Sequence, residues 1–240
     1  AAKRLNMSQP SVSLALQRLE EHYLAAGSGD ISFALLSDFA DAPLQQLPTD
    51  RALLQHAITG IASLNTHYGA GPAGPRFLLL HRQRSYNPAE QCWMGAERKR
   101  GKLTALNIAL RSKENGNNPF CGASAEHPLL SNAVPPQVRY VITLDADTRL
   151  PRNAAVKLVG KMAHPLNRPR FGAGRQHDLV VDGYGILQPR IASNLPSTNR
   201  SAYARLHGGE PGIDPYTRAV SDVYQDLFGE GSFIGKGIYD

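Results

Sequence analysis

The chain has 240 residues, which is enough for one large domain or two small ones with a substantial hydrophobic core. Hydrophobic residues make up 42% and charged residues 19%, which is ordinary for a globular protein, and no apolar run reaches transmembrane length. The formal charge of +6 favours an anionic partner, such as a nucleotide, a nucleic acid or a membrane surface.

The two cysteines, Cys92 and Cys121, lack the spacing of metal ligands and do not indicate a disulfide framework. A reduced, cytosol-facing setting is therefore expected. No signal peptide is recognisable. Because the chain begins and stops abruptly, we interpret it as a fragment of a longer protein, which could be a membrane protein.

The first 22 residues predict two short helices joined by a turn, with Pro10 in the first turn of the second helix. Residues 1–13 resemble the helix-turn-helix of LysR-type transcription regulators, whose second helix enters the DNA major groove. That resemblance implies three groove-facing positions: Gln9, Ser11 and Ser13. It covers little of the chain and lacks the preceding helix. We therefore interpret the segment as a fusion remnant or an amphipathic helix without DNA-binding function.

The next part of the chain alternates between strand and helix patterns. A strand from Ile31 runs into Asp38, with Asp41 close behind, and Arg76–Arg82 predicts another strand. Between them, Asp50–Tyr68 carries the apolar stripe of an amphipathic helix. This alternation predicts βα units and a mostly parallel sheet.

A cluster of cations follows in the run Glu97–Lys102. Its Gly101-Lys102 pair opens a predicted helix, and helix N-termini with nearby Lys or Arg bind phosphate well. The glycine spacing is not that of a P-loop, so the alternative is a solvated basic helix start. Residues 112–136 are polar and rich in Gly, Asn and Pro, which predicts a long exposed loop.

The run Tyr140–Leu144 is apolar and β-branched and predicts a buried strand leading directly into Asp145 and Asp147. Side chains alternate faces in an extended chain, so both carboxylates are expected to point the same way. Two like charges this close favour a divalent cation, and hard oxygen ligands suit Mg²⁺ or Mn²⁺ with substrate phosphates. We interpret the motif as a metal–diphosphate site at the carboxyl end of a parallel strand. The alternative is a turn with two solvated aspartates.

The remaining chain predicts a helix from Pro151, a strand pair with a glycine turn within Leu179–Arg190, and a helix over Val220–Phe228. His164 ends the first of these helices and is expected to be a capping or core histidine rather than a metal ligand. The glycine-dense loop Gly229–Gly237 could bring backbone N–H groups close to a ligand.

Seven stretches carry a further resemblance: Leu35–Ala42, Trp93–Gly95, Glu97–Leu103, Val138–Leu150, His164–Asn167, Tyr184–Arg190 and Val220–Asp240. Together they resemble the glycosyltransferase domain of bacterial cyclic β-1,2-glucan synthases, over about residues 19–240. The resemblance implies an α/β fold of GT-A (Rossmann-like) type, with a mostly parallel sheet flanked by helices. It also implies UDP-glucose as donor, a divalent metal, and inversion at the anomeric carbon to extend a β-1,2-glucan acceptor. Full-length members are large inner-membrane proteins, and we expect this domain to face the cytoplasm.

The resemblance also implies site residues. The metal ligands would be Asp145 and Asp147. The substrates would contact three groups of residues: Asp38 (uridine) with Asp41; Arg98, Arg100, Lys102 and Asp145 (diphosphate and ribose); and Gly231, Ser232, Gly235 and Lys236 (acceptor). Inversion needs a general base for the acceptor hydroxyl. Glu230 and Asp222 are weak candidates, and we expect the true base beyond the last residue.

We therefore predict a LysR-like remnant at residues 1–22 and a partial GT-A domain at residues 23–240. The remnant replaces the strand that normally opens such a domain, so we expect the isolated chain to bind donor weakly and to lack turnover. Two other interpretations stay open. One is a fragment of a DNA-binding regulator, although the rest of the chain does not match one and DNA is not the expected partner. The other is a non-catalytic UDP- or glycan-binding module.

Overall fold

The computed structural model describes residues 9–27, 29–111, 120, 134–135, 137–174, 179–189 and 235–240. The chain divides into two compact units, residues 1–139 with 146–157 and residues 140–145 with 158–240. The described elements are helices and short sheets, which makes this a mixed α/β protein. None of the helices in these ranges is both long and apolar enough to cross a membrane.

The first unit contains α1 (Gln9–Ala26), β1 (Phe33–Asp38), α2 (Asp50–Tyr68), β2 (Phe77–Arg82), β3 (Ser85–Asn87), β4 (Cys92–Met94) and α3 (Arg98–Arg111). Strands β1 and β2 pair in parallel, from Phe33 opposite Phe77 to Asp38 opposite Arg82. This pair confirms the parallel βα unit that the alternating patterns predict. The other four strand pairs within the described residues are antiparallel, so the prediction of a mostly parallel sheet is wrong for this part of the chain. Every residue of β2 is buried, and helices α1 and α2 cover the side chains of Phe77 and Leu79.

The core of this unit joins both helices to the strand pair: Val12, Leu19, Ala57, Ile58, Ile61, Phe77 and Leu79. Burying one large apolar side chain such as Phe77 stabilises a fold by roughly 1.5–3 kcal/mol. The Asn65 side chain forms hydrogen bonds to both the N–H and the C=O of Phe77. These bonds satisfy the polar groups at the start of the buried strand β2.

Helix α1 belongs to this core. Val12 and Leu19 are buried in it, and Ser13 Oγ lies 2.9 Å from His56 Nε2 on α2. The helix also runs without a break through the proposed domain boundary between residues 22 and 23. This packing fits the interpretation of the segment as an amphipathic helix. Residues 1–8, with the turn of the LysR-like motif, lie outside the described residues.

The second unit contains β5 (Val141–Thr143), a 3₁₀ turn (Pro165–Asn167), β6 (Arg170–Phe171), β7 (Val180–Asp182), β8 (Ile186–Leu187) and β9 (Gly237–Tyr239). Helix α4 (Ala154–Ala163) begins in the first unit and ends in the second. The His164 side chain accepts a hydrogen bond from the Leu166 N–H, which confirms the expectation of a capping histidine.

Two strand predictions are wrong in the second unit. Strand β5 pairs antiparallel with β9, whereas the sequence favoured a parallel strand before Asp145. Strands β7 and β8 do not pair with each other, because β7 pairs with β6 and β8 pairs with β9. Local patterns identify strands, but the partner of a strand is decided by packing with distant segments of the chain.

Candidate functional site

The parallel register places charged residues from β1 and β2 side by side at the carboxyl ends of both strands. Arg82 donates from Nε to Asp38 Oδ1 at 2.8 Å and from Nη2 to Asp38 Oδ2 at 3.0 Å. Only 12% of the Asp38 side chain and 10% of the Arg82 side chain are exposed. A two-bond pair of this kind fixes both position and orientation of the carboxylate.

The loop that leads into α3 contacts this ion pair. Arg82 Nη2 also donates to the carbonyl oxygens of Ala96, at 3.1 Å, and Arg98, at 3.3 Å. Gly95 lies so close to Asp38 that a Cβ atom there would be 2.5 Å from its carboxyl carbon. Any residue with a side chain would clash with Asp38 here, so a glycine at position 95 is what lets the loop approach the end of β1.

Helix α3 adds two more cations. Lys102 Nζ lies 3.6 Å from Asp38 Oδ2, and Arg98 Nη2 lies 3.2 Å from Asp41 Oδ2. We refer to Asp38, Asp41, Arg82, Arg98 and Lys102 as the strand-end cluster. It combines three cations with two carboxylates at the carboxyl ends of parallel strands, where open α/β sheets bind ligands.

Four of these five residues were predicted from the sequence, and the structure brings them together. Helix α3 begins at Arg98, three residues before the predicted Gly101-Lys102 start, so Lys102 lies within its first turns. Arg100 is the exception among the predicted cations. It is exposed and pairs with Glu97, whose hydrogen bonds raise the pKa of Arg100 while the Arg100 guanidinium lowers the pKa of Glu97.

Arg82 was not predicted as a site residue, and neither was its neighbour His81. The His81 side chain is only 3% exposed, and its Nδ1 lies 2.9 Å from Ser37 Oγ. Burial lowers the pKa of His81 to about 4, against the opposing charges of Asp38 and Asp50. His81 is therefore neutral at pH 7, and the buried β2 carries no unpaired charge at this position.

A second buried ion pair follows β2. Arg84 donates to both carboxylate oxygens of Asp50, the first residue of α2, at 2.5 and 3.1 Å. Burial alone would raise the pKa of Asp50, but hydrogen bonds from Arg84 and the Leu47 N–H, with the Arg84 charge, hold it below its usual value. The Arg84 guanidinium also lies 4.8 Å from the centre of the Phe39 ring. This pair ties α2 to the strand ends.

The motif with Asp145 and Asp147 has a different geometry from the predicted one. Strand β5 ends at Thr143, and Ala146 and Asp147 form a turn, so the expectation that both carboxylates share one face of a strand is wrong. Asp145 is half-buried, and its Oδ2 lies 3.0 Å from Lys236 Nζ. Asp147 is exposed. The boundary between the two compact units falls directly after Asp145.

Lys236 and Gly235 were predicted to contact the acceptor. In the structure Lys236 forms an ion pair with Asp145 within the second unit, and the acceptor role stays a prediction. Two carboxylates are donors that suit Mg²⁺ or Mn²⁺, so the residue types fit a hard divalent cation. No three His, Cys, Asp or Glu side chains converge as a metal site within the described ranges. Glu230, Asp222, Gly231 and Ser232 lie outside those ranges.

Fold and cluster together define a mixed α/β protein with a cluster of three cations and two carboxylates at the ends of two parallel strands. No family model matches the chain. Over 225 residues, 93% of the chain, it is 50% identical to the protein named "Cyclic beta-(1,2)-glucan synthase NdvB" of Rhizobium meliloti (strain 1021). This identity confirms the resemblance to the cyclic β-1,2-glucan synthases, and the chain is homologous to a segment of one. It spans 8% of the length of that relative. The comparisons give no support to the LysR-like interpretation of the N-terminal residues.

Proposed function

We propose that this chain is part of a glycosyltransferase domain that binds UDP-glucose at the strand-end cluster and transfers glucose, with inversion, to a growing β-1,2-glucan. The identity to a glucan synthase supports the glucan product. The proposed setting is the remainder of a large synthase in the bacterial inner membrane, with this domain facing the cytoplasm.

The observation that carries the proposal is the convergence of Asp38 and Lys102 at one strand end. Arg82 occupies one lone pair on each Asp38 oxygen, and a carboxylate oxygen accepts two hydrogen bonds. Each Asp38 oxygen can therefore accept one more hydrogen bond, and the imide N–H of a uracil ring is a suitable donor. Lys102 and Arg98, in the first turns of α3, supply positive charge and a helix N-terminus for a diphosphate.

Arg100 could join the diphosphate contacts despite its pairing with Glu97. Both side chains of that pair are exposed. Exposed ion pairs contribute only about 0–1 kcal/mol, so a phosphate group can compete for the guanidinium. Asp41 is already paired with Arg98 and would then orient that cation rather than contact the nucleotide itself.

Asp145 and Asp147 are the proposed ligands of Mg²⁺ or Mn²⁺. A divalent cation there would stabilise the negative charge that develops on the departing UDP. Lys236 already places a positive charge next to Asp145. For the acceptor hydroxyl, the proposal keeps Glu230 and Asp222 as candidate bases, with Gly231, Ser232 and Gly235 on the acceptor side.

Calorimetric titration with UDP and UDP-glucose, with and without Mn²⁺, tests the proposal on the 240-residue chain. We expect Lys102→Met to weaken UDP binding about tenfold, because it removes a charge-assisted phosphate contact. Lys157→Met, in the exposed part of α4, is the matched control and should bind UDP like the wild type. Absence of UDP binding, or equal affinity for ADP, would contradict the proposed site.

A non-catalytic UDP- or glycan-binding module predicts the same binding data. The two functions separate in a radiolabelled UDP-glucose assay of the full-length protein that contains this chain, with β-1,2-glucan as acceptor. Asp147→Ala should abolish glucan extension there if this segment is the catalytic domain, and should leave extension intact if it is a non-catalytic binding module. Turnover by the isolated chain would also contradict the expectation that it lacks activity alone. The DNA-binding alternative has less support: Ser13, although exposed, lies 2.9 Å from His56 Nε2 of α2, and the comparisons give no support to the LysR-like interpretation.

A further inference from the structure

We infer that Arg82 is the positioning residue of the proposed nucleotide site, and that the forked shape of its guanidinium, as well as its charge, is required for nucleotide binding. The inference rests on the proposed function, because it concerns the same site. Neither the sequence patterns nor the comparison with the glucan synthase assigns a role to this side chain.

Arg82 holds together three segments of the first unit. It is the last residue of β2, and it forms two hydrogen bonds with Asp38 at the end of β1. It also donates to the carbonyl oxygens of Ala96 and Arg98 at the start of α3. Two nitrogen atoms of the planar guanidinium, Nε and Nη2, donate all four hydrogen bonds. A lysine ammonium is a point donor without a fork and cannot reproduce them.

The loop that Arg82 holds has an unfavourable backbone conformation. Glu97 and Arg98 have φ angles of 53° and 49°, in the left-handed region that residues with a side chain rarely adopt. Such a conformation persists only where surrounding contacts stabilise it. The hydrogen bond from Arg82 to the Arg98 carbonyl is one such contact. We therefore expect the loop to relax when the guanidinium is removed, and Lys102 to move away from Asp38 with it.

Burial separates this role from direct ligand contact. Only 10% of the Arg82 side chain is exposed, and its hydrogen bonds are made to protein groups. Arg82 would therefore act on the nucleotide through the orientation of Asp38 and the placement of Lys102. A second buried arginine at the same strand end, Arg84, offers a matched comparison because it contacts Asp50 instead.

The test compares Arg82→Lys with Arg84→Lys, both of which keep the positive charge. Each change should lower the melting temperature, since each breaks a buried forked ion pair. UDP affinity measured by calorimetry should fall about tenfold or more in Arg82→Lys and by less than about twofold in Arg84→Lys. Equal UDP affinity of Arg82→Lys and the wild type would overturn the inference, as would an equal loss in both variants.

A double-mutant cycle with Asp38→Asn distinguishes positioning from a general loss of structure. If Arg82 acts through Asp38, Arg82→Lys should cost little further UDP affinity once Asp38 is an asparagine. Full multiplication of the two losses would show that Arg82 does not act through Asp38. If the loss in Arg82→Lys also multiplies fully with that in Lys102→Met, Arg82 acts through neither residue, and the inference is contradicted.

Amide hydrogen exchange tests the positioning itself without any ligand. We expect faster exchange across residues 95–101 in Arg82→Lys and unchanged exchange there in Arg84→Lys. If Arg82→Lys does not fold, Gly101→Ala is the second variant, because its methyl group would lie 3.0 Å from Arg82 Nη1 and 2.1 Å from the Ala96 carbonyl oxygen. If exchange across residues 95–101 is faster in Arg82→Lys but the wild type does not bind UDP, the proposed function is rejected and the positioning role of Arg82 stands. Unchanged exchange with intact UDP binding would reject the role of Arg82 alone.

Discussion

The strand-end cluster and the Asp145–Lys236 pair both place a carboxylate near the end of a strand beside a lysine, but they restrain it very differently. Asp38 is 12% exposed and bonded to both ends of the Arg82 fork, whereas Asp145 is 34% exposed and paired with a flexible lysine. Strand β1 has six residues and β5 has three. The first carboxylate is a fixed acceptor, and the second can exchange its cation at low cost.

This difference matches the tasks proposed for the two regions. A group that recognises a base by hydrogen bonding must be held in one orientation before the ligand arrives, because ordering it during binding reduces affinity. A metal ligand must instead release its own counter-ion when the metal binds. Buried restraint suits Asp38, and partial exposure suits Asp145.

The largest test of this contrast is the free energy of unfolding after each carboxylate is removed. Asp38→Ala leaves the buried Arg82 guanidinium without its partner, and such losses cost about 3–5 kcal/mol. Asp145→Ala removes a partly exposed pair and should cost less than about 1 kcal/mol. Urea denaturation followed by circular dichroism measures both values, and similar losses in the two variants would contradict the contrast.

The second test uses pH, because the first unit has a deeply buried histidine, His81, next to the strand-end cluster. The folded-state pKa of His81 is about 4, below the usual value of 6.5, so the unfolded chain binds more protons between those pH values. Stability is therefore full above pH 6.5 and falls as the pH drops towards 4, by about 3 kcal/mol for this group. His22, whose pKa burial also lowers, contributes in the same direction.

Comparison with His81→Gln isolates the contribution of this residue. The variant should be less stable at pH 7 but should lose less stability between pH 6.5 and pH 4.5, measured by urea denaturation at each pH. The exposed His164 of the second unit is the control, and His164→Gln should keep the pH dependence of the wild type. An unchanged pH dependence in His81→Gln would show that its ring is not the group that titrates.

The third test concerns the cation beside Asp145. If Lys236 competes with a divalent metal for that carboxylate, Lys236→Met should raise Mn²⁺ affinity several-fold, about 1 kcal/mol or less for a partly exposed pair. Lys102→Met should leave Mn²⁺ affinity unchanged, since Lys102 pairs with Asp38. Electron paramagnetic resonance of free Mn²⁺ measures both. Weaker Mn²⁺ binding in Lys236→Met would show that Lys236 supports the metal site instead.

The same contrast explains what the sequence could predict. Helix α2 has the predicted bounds, Asp50–Tyr68, because its apolar stripe follows the helical period over nineteen residues. The parallel pair β1–β2 follows from alternating strand and helix patterns. Ligands bind at the carboxyl ends of parallel strands. Because Asp38 and Lys102 were both predicted to contact the donor, they were expected to lie together at that end of the pair.

Local sequence patterns could not show that Arg82 is a site residue or that β5 pairs antiparallel with β9. An arginine after an apolar run is usually a solvated strand end, and only the partner across the sheet, Asp38, makes it a buried fork. Strand β5 has the expected composition, but its partner β9 is almost a hundred residues away in the sequence. Three-residue strands carry too little pattern to specify such a partner, so its direction was predicted wrongly.

The smallest expected effect separates Arg100 from the other cations of α3. Arg100→Ala removes its exposed pair with Glu97, and we expect no measurable change in stability. Its effect on UDP affinity decides whether the strand-end cluster extends along α3. A loss of about threefold or more would place Arg100 among the diphosphate contacts, and Glu97→Ala should then strengthen binding by freeing the guanidinium. If neither variant changes UDP affinity, recognition is confined to the side chains that contact Asp38 and Asp41, and the exposed pair is only part of the solvated helix surface.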